Sequence, residues 1–356
     1  TMRWHAGGRI DFMETEIRGP YKGPDFRIDG RAYAAKRARG EVADKMKSGP
    51  KVADVVHRRQ VHFLREAGVW IVTDRITSDT PHDFTQTWCF GPEYGEGEVV
   101  VDLVAEGRAA RIATTQADAP NLSLHQFGSP GLAHRKYFGV YDDDRILGWV
   151  GILADREKWI YTPAVNVHAN WRGEGSQLLV TLVVPHRGRE SGLTIDAALA
   201  AESGTAAGFD ATLTSGLRIS FRAATTAAPL DALGVKAEAA SLVVYRGPAG
   251  NRTGAVLEAT TFNGRPASVK DFEFEIPAGA DDPQTVAITV PTGFHWQGSG
   301  AGLQPRYTPP PAAETPSAHV GPHRQMHPLV SAELGLDADQ EELLDRGTLP
   351  LAVSGN

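Results

Sequence analysis

The chain has 356 residues, 41% hydrophobic and 22% charged, and no apolar run approaches the roughly 18 residues of a membrane-spanning helix. Its 36 Lys and Arg against 43 Asp and Glu leave a net charge of −7, so no global field gathers polyanions. The single cysteine, Cys89, excludes an intramolecular disulfide and leaves the compartment open.

The length allows two or more packed layers, and 38 glycines and 23 prolines scattered between short strand-like runs favour an all-β fold. Thr1-Met2-Arg3-Trp4-His5 leads straight into polar sequence, without the apolar stretch of a signal peptide, and a first residue other than Met suggests a processed product or a fragment. The first predicted strand runs from Arg9 to Ile17 and ends in a turn over Arg18 to Pro24. Glu14 and Glu16 share one face of it; that spacing suits acid/base work or a cation, but a solvent-facing polar side is the ordinary reading and neither is assigned a catalytic role.

From Gly30 to Lys47 the periodicity weakens, which permits one or two helical turns broken at Gly40 and stopped at Ser48-Gly49-Pro50. Between Arg27 and Arg65 there are eleven Lys or Arg against four acids, a local net of +7 that leaves −14 for the rest. Such a segment suits an acidic glycan, with a solvated basic loop as the blander alternative. Nucleic acid is disfavoured, because stacking aromatics and a recognised binding module are missing from it.

The stretch His57 to Phe90 organises the chain. Val61, Phe63, Val69 and Ile71 alternate with period two around Glu66-Ala67-Gly68, which predicts an antiparallel hairpin of His57–Arg65 with Val69–Ile76. Ser78-Asp79-Thr80-Pro81 is dense in turn formers, so a third strand carrying Phe84, Gln86, Trp88 and Phe90 on one face would complete a meander. Glu98 to Ala105 with Ala109 to Thr115 predicts another hairpin, and Asn121 to Phe127 and Lys136 to Tyr141 continue the succession.

Residues 192 to 297 carry smaller, Ala/Thr-rich strands, at 209–213, 217–224, 239–245, 255–262, 272–276 and 285–290. The reading is an antiparallel β-sandwich with large sheets: a β-sheet domain over 1–191, then a continuation of it or a second small β domain over 192–297. A Pro/Gly-rich tail with a short helix occupies 298–356, the helix capped by Asp337 and closed by Gly347.

Several residues invite chemistry. His57, His62, Asp74 and His82 suggest a metal site, but His57 and His62 differ by five positions and point to opposite faces of a regular strand. Asp74 reads instead as a buried structural acceptor for Arg59 or strand N–H groups. His319, His323 and His327 have four-residue spacing, but Pro322 breaks the helix that would align them, so no metal is assigned. Phosphate loops, nucleophile elbows and CxxC pairs are missing from the sequence.

The order of several motifs carries a resemblance. His57-Arg58-Arg59, Trp70-Ile71-Val72, Asp74-Arg75, His82 and Trp88 follow Asp11-Phe12-Met13-Glu14 and Gly19-Pro20-Tyr21. They precede Asp144 to Trp149, Trp159 and Leu178 to Pro185. Over roughly residues 10 to 190 this pattern resembles the C-terminal β-sheet domain of the heparinase II/III-like polysaccharide lyases.

The resemblance implies β-elimination on uronic-acid-containing, acidic glycans, with most catalytic groups supplied by an α/α toroid expected upstream or as a separate chain. This sequence lacks the toroid, so the chain alone is expected to be inactive. The alternative is a non-catalytic glycan-binding or cell-envelope β-sandwich. The resemblance also implies a periplasmic or secreted setting and a zinc site. The zinc motifs lie before the matched portion, and His5-Ala6-Gly7 does not reproduce the family's His-Asn strand, so no zinc ligands are carried over. Arg59, His82 and Trp88 are the candidate glycan contacts, and Tyr21, His57 and His82 the candidate catalytic groups.

Overall fold

The computed structural model describes residues 2–19, 21–22, 51–105, 109–128, 131–141, 146–155, 158–200, 204–280, 283–287, 294–297 and 304–307. The helical turns expected at 30–47, most of the basic segment, the tail histidines and the helix at 337–347 lie outside these residues. Those described form antiparallel β structure almost throughout, the sandwich-like class that the alternation predicts.

Strands β1 (Met2–Ala6), β2 (Ile10–Arg18), β5 (Val55–Leu64) and β6 (Val69–Cys89) begin the first sheet, and β3 (Tyr21–Lys22) with β4 (Lys51–Val52) forms a small pair beside it. There follow β7 (Val99–Ala105), β8 (Ala109–Thr114), β9 (Pro120–Gly128) and β10 (Ala133–Phe138). Two short hairpins, β11 (Val140–Tyr141) with β12 (Ile146–Leu147) and β13 (Trp149–Asp155) with β14 (Lys158–Pro163), lead into β15 (Val165–Arg187). The sheet order is β1-β2-β5-β6-β15-β9-β8-β7, with β10 on β15.

The β5/β6 hairpin is present in the expected register: Arg59 is opposite Asp74, and Gly68 closes the turn at φ 64° with its N–H on the Leu64 carbonyl at 2.8 Å. The meander is not. Ser78 to Pro81 does not reverse the chain between two paired strands; β6 runs on through it and pairs with β15 on both sides. Residues 79 to 81 lie in a gap of that ladder, opposite the bulge between Gly173 and Gly175, where Pro81 needs no ladder N–H.

Both long strands bend together at this gap. Asp74 and Gln86 would lie about 40 Å apart on a straight strand, yet Gln86 Nε2 donates to Asp74 Oδ2 at 2.6 Å. The far half of β6, the first half of β15 and β10 therefore fold back as an arm over the outer face of their own sheet. Phe90, Val165 and Val167 of the arm pack there on Val99, Ile112 and Leu124.

The second sheet contains β16 (Leu193–Ala200), β17 (Ala206–Leu213), β18 (Arg218–Ala232), β19 (Val235–Arg246) and β20 (Arg252–Leu257). It adds the two-residue β21 (Thr261–Phe262) and β22 (Arg265–Pro266), then β23 (Phe272–Ile276) and β24 (Gln284–Ala287). A last hairpin joins β25 (Phe294–Gln297) to β26 (Gln304–Tyr307). The sequence reading missed β16 and shortened β18 and β19, whose Ala-rich ends carry a weak apolar signal.

The inner faces of the two sheets meet in one core. Phe12, Leu64, Ile71, Leu178 and Leu182 of the first pack on Phe209, Ile219, Phe221, Val243 and Tyr245 of the second, and each such fully buried Leu, Ile or Phe contributes about 1.5–3 kcal/mol. Arg75 crosses this core, its Nε on the Ala224 carbonyl at 3.0 Å and its Nη2 on the Ala240 carbonyl at 2.8 Å. Glu14 and Glu16 correct the solvent-facing expectation, because their side of β2 is the one the second sheet covers. Glu14 is 6% exposed and accepts from Gln60 at 2.6 Å; Glu16 pairs with Arg18 and Arg58.

Candidate functional site

Where the arm folds back, a cleft of about 520 Å³ opens between the sheet and the bend. The sheet contributes Val55, His57, Arg59, Asp74 and Ile76; the bend and arm contribute Pro81 to Gln86, Trp171 and Arg172. Ladder pairing dictates the first group, since His57 and Ile76, and Arg59 and Asp74, are cross-strand neighbours on the outer face. A second cavity of about 650 Å³ beside Phe262 and Phe272 has, among the described residues, one charged side chain in its lining, Arg265.

Asp74 anchors the cleft floor at 2% exposure. Its Oδ1 accepts from His57 Nε2 and from Arg59 Nε, both at 2.6 Å, and its Oδ2 from Arg59 Nη2 at 3.0 Å and Gln86 Nε2 at 2.6 Å. Burial pushes the Asp74 carboxyl upward, but the His57 and Arg59 hydrogen bonds and the Arg59 charge outweigh it and hold the group below the usual value. The carboxylate at Nε2 keeps a proton on that nitrogen and orients the ring.

Behind Asp74 a chain of amides ties the arm to the sheet. Gln86 Oε1 accepts from Trp88 Nε1 at 2.8 Å and from Gln126 Nε2, and Gln126 Oε1 accepts from His134 Nε2 at 2.7 Å. Burial lowers the His134 pKa, so this end of the network is neutral.

At the bend, His82 Nε2 donates to both oxygens of Asp54 at 3.0 Å, and Thr80 Oγ1 donates to Asp54 Oδ2 at 2.8 Å. The His82 and Thr80 hydrogen bonds lower the Asp54 carboxyl to about 2. Arg172 faces Asp83 at 3.1 Å on the exposed rim.

His57, Arg59, Asp74 and His82 thus meet at one cleft. Trp88 does not line it: the arm turns its ring into the cluster with Phe90 and Leu124, and Trp171 stands at the cleft instead, 5% exposed. Tyr21 lies on β3, and its side chain is outside those described. Gln86, Gln126, His134, Trp171, Arg172 and Asp54 went unnoticed as site residues in the sequence; alternation marked a face for Gln86, but nothing marked what that face would meet.

The donor set does not fit the zinc that the resemblance implies. His62 sits on the inner face beside Phe12 and Phe221, and four hydrogen bonds, two from a guanidinium, already occupy the Asp74 oxygens. Among the described residues no group of three His, Cys, Asp or Glu is placed to hold a metal.

No family model matches the chain, and no curated protein matches it. Among solved structures, a heparinase III gene product is similar at 15% identity and a TM-score of 0.37, over 62% of this chain and 27% of that one. A second structure described as heparinase III gives 12% and 0.40 over 63% and 27%; the heparan sulfate lyase HepC from Pedobacter heparinus gives 13% and 0.38 over 61% and 26%. The chain spans about a quarter of the length of these proteins.

Proposed function

We propose that this chain is the β-sheet portion of a polysaccharide lyase acting on uronic-acid-containing glycans, and that the arm cleft is where the acidic glycan lies. The observation that carries the reading is the layering of charge. The Asp74 side chain is 3% exposed, beneath Arg59 at 41% and His57 at 22%, so the guanidinium and the imidazole face the solvent while the anion that orients them does not. A guanidinium held this way is preorganised for a carboxylate, and Arg172 and His82 flank it.

Catalysis belongs to the toroid partner in this reading, and a periplasmic or secreted setting goes with it. Both cleft imidazoles are already engaged by carboxylates at Nε2, which favours binding without cleavage and keeps the non-catalytic glycan-binding module as the second reading. The test is calorimetric titration with heparan sulfate and alginate, alongside ultraviolet absorbance for unsaturated product. Binding weakened about tenfold or more by Arg59→Ala is expected, and a wild-type chain that binds neither glycan overturns the proposal. Turnover by this chain alone, lost in His57→Ala or His82→Ala, would overturn the accessory role.

A further inference from the structure

Resting on that reading of the cleft, we infer that the glycan track continues beyond it: Met13, Val61, Phe63 and Trp70, on the same sheet face, form a second subsite that stacks on sugar rings. The ladders place these residues in rows. Ile17, His57 and Ile76 lie across one row, Thr15, Arg59 and Asp74 across the next, then Met13, Val61 and Val72, then Asp11, Phe63 and Trp70.

Exposure rises along and across these rows, away from the arm. Ile76 and Val72 are each 8% exposed and Asp74 2%, whereas Trp70 is 36%, Met13 41% and Ile17 53%. The arm covers β6 from Val72 to Ile76 and leaves β2, the far end of β5 and Trp70 as an open shelf. Its surface is apolar where a soluble sheet face is normally polar, and such patches mark binding grooves.

The shelf suits a pyranose chain. Phe63 and Trp70 stack on each other across the hairpin, centroids 4.7 Å apart and planes at 24°, so the platform is stiff before any ligand arrives. An exposed indole presents an apolar face to the C–H side of a sugar ring. Arg65 and Asp11, paired at 2.8 Å and partly exposed, stand beside it for the hydroxyl and carboxylate rim.

Along β5 the step from Arg59 to Phe63 is about 13 Å, the length of a short run of linked rings. A protein partner fits less well, because a stable interface needs about 20–30 residues a side and the shelf has a handful. Continuity with the cleft, and a strip running along the strand from a guanidinium to an aromatic pair, indicate a linear acidic oligosaccharide.

The experiment is calorimetric titration with size-graded uronate oligosaccharides, from disaccharide to octasaccharide. The wild type should bind the octasaccharide at least about tenfold more tightly than the disaccharide, because the second contact is then intramolecular. Trp70→Ala should cut that gain to about twofold without changing disaccharide affinity, and Met13→Ala should cut it partly. Trp70→Phe should keep most of it. Thermal melts of each variant confirm folding, and Met13→Ala keeps the test open if Trp70→Ala does not fold.

A length gain that survives Trp70→Ala overturns the subsite, as does its absence in a wild type whose disaccharide binding is lost in Arg59→Ala. If no oligosaccharide of any length binds, the cleft reading falls first. Self-association of the wild type that Trp70→Ala abolishes would assign the shelf to a second copy and overturn the inference.

Discussion

Replacing Asp74 by alanine tests the arm latch and the cleft floor together. The substitution strands four N–H donors from three residues, His57, Arg59 and Gln86. Gln86, 8% exposed, loses the acceptor of its amide N–H, and a buried donor left unmade costs about 1–3 kcal/mol. Breaking a fully buried ion pair costs about 3–5 kcal/mol; Arg59 at 41% and His57 at 22% side-chain exposure can recover hydration, so their share is discounted well below that. The sum places Asp74→Ala at about 3 kcal/mol of lost stability.

The assay is urea denaturation followed by circular dichroism and tryptophan fluorescence, at pH 7 and through the acid range below pH 4. The Asp74 carboxyl is depressed in the fold, so its contribution is fully present above the unfolded value near 4 and is lost as pH falls through the lower folded value. The acid-side loss of stability should therefore be shallower in Asp74→Ala than in the wild type. A change within about 0.5 kcal/mol at pH 7 would refute the reasoning. So would strict additivity with Gln86→Ala, because residues in one hydrogen-bond network couple.

Arg75→Met should cost about 2–3 kcal/mol in the same denaturation assay, because the Ala224 and Ala240 carbonyls lose charged donors inside the intersheet core. Gly128, at φ 150°, would bring a Cβ to 2.3 Å from the Leu178 carbonyl, so Gly128→Ala should lower stability by about 2 kcal/mol or more on a chemical melt. Burial, and then the Arg75 charge, hold the His62 pKa down to about 3. The unfolded state therefore binds the extra proton first, and stability falls as pH drops from about 6.5 toward that value. Replacing His62 by Gln should flatten the slope between pH 6.5 and 5; an unchanged slope would show that the imidazole is not held neutral.

Local sequence was enough for the all-β class and for the β5/β6 hairpin. Alternating Val61, Phe63, Val69 and Ile71 around a glycine that takes positive φ leaves one register that buries the inner face, and that register alone puts Arg59 opposite Asp74. Ser78 to Pro81 shows where such inference stops. Turn formers report a local change of backbone direction, and the same residues serve a hairpin or a bend in a continuing ribbon. The choice lay with β15, about a hundred residues downstream, whose own bulge at Gly173 to Gly175 lets both strands bend as one.

Everything that depended on this long-range pairing was decided by tertiary structure. Glu14 and Glu16 read as solvent-facing because the sheet that covers them lies far along the chain, and period two distinguishes the two faces of a strand without saying which is covered. Trp88 and Trp171 look alike as aromatic strand residues, and the return of the arm turns one into an apolar cluster and sets the other at the cleft. The sequence by itself determined which residues share a face; only the packing of distant strands decided what each face meets, because covering a face is a contact between segments that no local periodicity encodes.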